Sequence, residues 1–88
     1  MIEREITVKN KLGIHARPAS LIVKAASRFA SDITLIKDDV VANAKSIMNV
    51  MMLAAAKDAT ILLKADGSDE EEAVRTIAEM FANKFDEE

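Results

Sequence analysis

Two stretches of this chain repeat apolar residues with helical spacing, and in each the apolar residues make only one stripe. Ala19, Ile22, Val23 and Ala26 recur at i, i+3, i+4 and i+7, while Ala73, Val74, Ile77, Phe81 and Phe85 mark a longer helix. A one-sided helix must lay its stripe on another apolar surface. Four short β-type segments supply one. Residues 2–9 alternate, with Ile2, Ile6 and Val8 on the covered side and Arg4 as the exception in that row. Residues 33–37 and 40–43 flank Asp38-Asp39 as a hairpin, and residues 60–65 form a fourth strand. Ser46 opens a short helix over residues 47–53, with Val50 and Leu53 assigned to the core. Overlapping capping-box patterns, Ser68 with Glu71 and Asp69 with Glu72, start the long helix. The order β-α-β-β-α-β-α predicts an α+β fold, helices on one face of a mostly antiparallel sheet, in one domain over residues 1–88.

The stretch Leu12-Gly13-Ile14-His15-Ala16-Arg17-Pro18-Ala19 holds the only histidine, the only proline and one of two glycines. Gly13 is free to take a positive φ or to let a partner approach the backbone. Directly after it the first helix begins, so His15 sits at a helix N-terminus. Helix starts favour Ser, Thr, Asp or Asn to accept the first free N–H groups. Here the residues are Ile14, His15, Ala16 and Arg17, and none is a good acceptor. An anion fits this place, because the backbone N–H groups of Ala16 and Arg17, the helix dipole and a forked guanidinium converge there. Neutral imidazole is a nucleophile near pH 7, and phosphorylated imidazole is a good phosphoryl donor. The local chemistry therefore points to a phosphate carried on, or held beside, His15. A bland surface histidine, with Arg17 a first-turn cation and Pro18 a first-turn residue that loses no hydrogen bond, is the structural alternative.

Charge separates along the chain. Residues 1–30 carry six Lys/Arg against two Glu, residues 31–65 four of each sign, and residues 66–88 two against nine, ending in the acidic run Asp86-Glu87-Glu88. The net charge of −3 and only three aromatics, Phe29, Phe81 and Phe85, argue against nucleic-acid binding. A basic patch on an acidic protein suits a phosphate or an acidic protein partner. Lacking cysteine and with one histidine, the chain offers no thiolate or multi-histidine metal site, and no cofactor is expected. A charged N-terminus and a longest apolar run of seven residues, Val50 to Ala56, predict a cytoplasmic protein with no membrane insertion.

Ser20, Leu21 and Lys24 lie off the apolar stripe of the first helix, which leaves Leu21 exposed near His15. Ile47, Met48 and Met51 form a second surface patch, because a six-residue helix cannot bury every apolar side chain; core packing is the alternative for each. Ser46 is most simply an N-cap.

The run Gly13-Ile14-His15-Ala16-Arg17-Pro18, with Lys45-Ser46-Ile47-Met48 further on, closely resembles HPr, the histidine-containing phosphocarrier family of the bacterial phosphoenolpyruvate-dependent phosphotransferase system. The resemblance covers nearly the whole chain. It implies an open-faced sandwich, a four-stranded antiparallel sheet of order 1-4-2-3 under three helices. It also implies that the first enzyme of the system phosphorylates His15 at Nδ1 and that acceptor proteins of a sugar or nitrogen branch remove the group, the protein being a carrier rather than a stand-alone catalyst. Arg17 is then the charge partner of the phosphate, Ser46 a regulatory serine open to a kinase, and Ser20, Leu21, Lys24, Ile47, Met48 and Met51 the docking face of a monomer. Asn49, Met52 and Ala54 depart from the family pattern around Ser46, and a docking module switched at Ser46 or working in a nitrogen-regulatory branch is the rival reading.

Overall fold

In the computed structural model, which describes residues 1–87, the strands are β1 (Ile2–Thr7), β2 (Asp32–Lys37), β3 (Val40–Asn43) and β4 (Thr60–Asp66). The helices are α1 (Ala16–Ala26), α2 (Ile47–Met52) and α3 (Glu70–Ala82), followed by a single tight turn at Lys84–Asp86. The sheet order is β1-β4-β2-β3 with every neighbouring pair antiparallel, the expected 1-4-2-3 arrangement. Since β1 and β2 both run against β4, they are parallel to each other with β4 between them, and α1 is the crossover that joins them.

Alternation along the strands sets which face the helices cover. Ile6, Ile33, Leu35, Ala42, Ile61, Leu63 and Ala65 are buried, with Ile6 opposite Ile61 and Leu35 opposite Leu63 in register, whereas Glu3, Glu5 and Thr7 are exposed. Arg4 is exposed, so the one charged residue of the inward row escapes at the sheet edge. Ala19, Ile22 and Ala26 from α1, Val50 and Leu53 around α2, and Ala73, Val74, Ile77 and Phe81 from α3 complete the core.

Four expectations need correction. Val23 is half-buried rather than core, and Ala25 is buried instead. Leu21 is half-buried against the core, because α3 packs beside α1 and covers the flank that the sequence left to solvent. Neither predicted capping box forms at α3. Asp69 is its N-cap without a side-chain cap bond, its carboxylate accepting instead from the backbone N–H of Ala30 at 2.9 Å and of Ser31 at 3.0 Å and from the Ser31 hydroxyl. Those bonds hold its carboxyl below the usual carboxylate value, the Ser31 hydroxyl contributing most. The side chain is spent on fixing the entry to β2, where Ser31 is fully buried and its polar groups need partners. The fourth correction concerns Phe85, which is buried as expected but lies outside α3.

Candidate functional site

Chain geometry after β1 determines where His15 stands. Val8 donates its N–H to Ala59 O and accepts from Asp58 N–H, which carries the β1–β4 pairing past the strand ends. Gly13 turns the chain with φ +71°, and Ile14 donates to Ala55 O at 2.8 Å. A Cβ at residue 13 would stand 2.5 Å from Ala55 O and 2.9 Å from Ala56 Cα, so both the left-handed backbone and the close approach require glycine here. Ile14, 5% exposed, anchors the loop, and the next residue leaves the core.

His15 is the N-cap of α1, extended at φ −89° and ψ −168°, with no side-chain cap bond. Among the described residues no acceptor meets the backbone N–H groups of Ala16 and Arg17; the first helical bond is Ala19 N–H to His15 O at 3.0 Å. The expected donors at the start of α1 are therefore unpartnered among the described residues. The missing cap bond does not single out α1, because α3 also lacks one; only α2 has its cap, Ser46 Oγ accepting from Asn49 N–H at 3.3 Å.

What the sequence did not reveal is a carboxylate on the imidazole. Glu87, 72 residues away, places Oε2 3.1 Å and Oε1 3.2 Å from His15 Nε2. Arg17 Nη1 donates to Glu87 Oε2 at 2.9 Å and to Phe85 O at 2.8 Å, and Asn10 Nδ2 donates to Glu87 Oε1 at 3.1 Å and to Gly13 O at 2.6 Å. The Glu87 side chain is only 16% exposed. Burial by itself would raise its carboxyl; the bonds from His15, Arg17 and Asn10, in that order, outweigh it and hold the group below its ordinary 4.5.

The tail reaches the site through an unusual backbone. Lys84, Phe85 and Asp86 have φ of 56°, 53° and 60°, three successive non-glycine residues in the left-handed region, each costing about 1–2 kcal/mol. Burial of Phe85, which meets Phe81 edge to face at 4.9 Å, offsets roughly 2–3 kcal/mol of this. The Arg17 bond to Phe85 O and the Glu87 N–H bond to Lys84 O at 2.8 Å close the turn. Glu87 carried one sequence signal, the opposition between a cationic first third and an acidic last third, but that signal names no residue, and uncharged Asn10 carried none. Glu88 of the acidic run lies outside the described residues.

Because the Glu87 carboxyl is depressed, its contribution to stability is complete above about pH 4.5, its unfolded value, and disappears as pH falls through the lower folded value. The urea midpoint of the wild type should therefore fall more steeply than that of Glu87→Gln between roughly pH 5 and pH 3. Asp69 and Glu70 are depressed in both proteins and cancel in the difference. Parallel curves would show that the tail contact carries no stability.

The expected docking residues fall into two places. Ile47, Met48 and Met51 are 43%, 74% and 41% exposed, and with Met52 and Ala16 they line one shallow apolar depression beside the His15 end of α1. Leu21 and Lys24 border a separate hollow with Arg28, Thr76 and Met80, between α1 and α3, while Ser20 is half-buried on α1. Ser46 is half-buried, its Oγ also accepting from Asn49 Nδ2 at 3.1 Å. Among the described residues no group of carboxylates and imidazole is arranged to hold a metal, and no helix is long and apolar enough to cross a membrane.

Comparison with known proteins agrees with this fold. The family described as PTS HPr component phosphorylation site matches residues 2–83. The phosphocarrier protein HPr of Treponema pallidum is 49% identical over 88 residues, all of both chains, and that of Xylella fastidiosa (strain Temecula1) is 46% identical over 88 residues, 100% of this chain and 99% of the relative. The crystal structure of HPr-C-His from Thermoanaerobacter tengcongensis superposes with a TM-score of 0.96 at 46% identity, covering 100% of this chain and 99% of that one.

Proposed function

The chain belongs to the HPr family and serves the phosphotransferase system as a phosphocarrier, and from that premise we propose that His15 is the residue that carries the phosphoryl group. The observation behind this is the position of a half-exposed imidazole at the uncapped start of α1, beside the guanidinium of Arg17 and the free N–H groups of Ala16 and Arg17. Arg17 neutralises the dianion and the two backbone donors bind its oxygens. The partners are the first enzyme of the system and phosphoryl-acceptor proteins, which dock over the Ile47, Met48 and Met51 depression and extend along α1 through Ser20 to Leu21 and Lys24 at the separate hollow. An apolar, methionine-rich surface suits a carrier that must meet several proteins in turn. The carrier is proposed to act as a monomer.

Ser46 is proposed as a second phosphorylation site, regulatory in effect. A phosphate there would take up the N-terminal donors of α2 and set a dianion beside Ile47 and Met48, opposing an apolar partner.

Incubating the full chain with phosphoenolpyruvate and the cognate first enzyme tests the central claim. The expected product carries one phosphate that is lost in acid and retained in alkali. An unmodified protein, or an acid-stable phosphate alone, overturns it.

A further inference from the structure

We infer that Glu87 is a positioning residue for transfer at His15, its carboxylate keeping the proton of the neutral imidazole on Nε2 so that the Nδ1 lone pair is the one presented to phosphorus. The inference rests on the reading of His15 as phosphoryl acceptor. Both Glu87 oxygens face Nε2, at 3.1 and 3.2 Å. An ionised carboxylate accepts hydrogen bonds and cannot donate them, so Nε2 must be the donor. Neutral imidazole has one N–H, which leaves Nδ1 bare. Depression of the Glu87 carboxyl keeps it ionised throughout the neutral range.

Three donors from two segments, the loop after β1 and the start of α1, aim the carboxylate. His15 supplies one, Arg17 Nη1 at the start of α1 a second, and Asn10 Nδ2 in the preceding loop a third. Asn10 is fully buried and also bound to Gly13 O, so it ties the carboxylate to the loop that fixes His15. The left-handed turn and the seated Phe85 ring bring the tail to this one place. Arg17 spends only Nη1 on the tail; among the described residues its other N–H groups have no acceptor and stay available to phosphoryl oxygens.

The transfer balances without moving a proton. The Nδ1 lone pair forms the N–P bond while the bond from phosphorus to the donor's leaving atom breaks, that atom keeping the electron pair. With its proton retained on Nε2, the ring becomes positively charged. Glu87 faces that charge as it develops, the role a carboxylate plays behind a reacting or metal-bound histidine elsewhere.

Long-range proton–nitrogen NMR of the ring, recorded well above the imidazole pKa, reads the tautomer in the full-length wild type, Glu87→Gln, Glu87→Ala and a control, Asp86→Asn, which removes a neighbouring exposed carboxylate. Single-turnover phosphorylation by the phosphorylated first enzyme reads the rate. The expected result is an Nε2–H pattern in the wild type and the control, a mixture of tautomers in both Glu87 variants, and phosphorylation of those variants slowed about tenfold or more. A purely structural tail would not shift the tautomer. Unchanged tautomers, unchanged rates, or faster phosphorylation, which would mark Glu87 as a competitor for Arg17, each overturn the inference. Failure of the wild type to take phosphate at all would instead reject the assignment of His15, a result the ring spectra do not depend on.

Discussion

His15→Ala is expected to lose acid-labile phosphorylation completely, with no residual slow reaction. The chain has no second histidine and no cysteine, so no other nitrogen or sulfur nucleophile of comparable strength can substitute. The loss will not be a consequence of unfolding. His15 is half-exposed, and its one side-chain partner among the described residues is Glu87, which keeps its bonds from Arg17 and Asn10 when the imidazole goes. The cost in stability should be small, because the bond lies at a partly exposed imidazole where solvent screens it. Mass spectrometry before and after mild acid, alongside a urea titration, separates the two effects. Acid-labile phosphate on the variant would move the acceptor away from residue 15.

Much of this architecture is legible in the sequence because burial leaves a periodic trace. The stripe at Ala73, Val74, Ile77 and Phe81 lies on α3 as its spacing predicts, and Ile6, Val8, Leu35 and Leu63 sit on the covered face of the sheet. Periodicity records that a residue is buried, not the path by which the chain brings it there. Phe85 falls at i+4 from Phe81 and is buried, yet the helix ends at Ala82 and a left-handed turn delivers the ring. Asp69 shows a related limit: its local pattern offered a cap, and a demand from Ser31, 38 residues distant, took the carboxylate instead. The proposed reactive end of the site is local, so its parts stand side by side in the sequence. His15, the unpartnered donors after it and Arg17 lie within three residues. Its other half, Asn10 and Glu87, is assembled by the fold, and at positions so far apart no spacing rule applies.

Phe81→Ala should be the most destabilising single change outside the functional residues, by about 3–5 kcal/mol. Phe81 is 1% exposed and fills the space between α3 and the sheet, so its removal leaves a cavity that the surrounding side chains can only partly close. For a domain whose whole stability is on the order of 5–15 kcal/mol, the urea midpoint should fall by about a fifth or more. The change should also reach the site. Phe81 is the surface on which Phe85 rests at 4.9 Å, and the Phe85 ring is what offsets the cost of three left-handed residues. With that support gone, the turn loses its anchor and Glu87 its hold on Nε2. Phe81→Ala should therefore release the His15 tautomer even under conditions where the domain remains folded. A Phe81/Phe85 double-mutant cycle should give a coupling of roughly 0.5–1.5 kcal/mol, the excess that aromatic pairs show beyond buried area. Additive losses, with the Nε2–H pattern intact in Phe81→Ala, would mean that the bonds from Arg17 and Asn10 hold the tail in place without the ring beneath it.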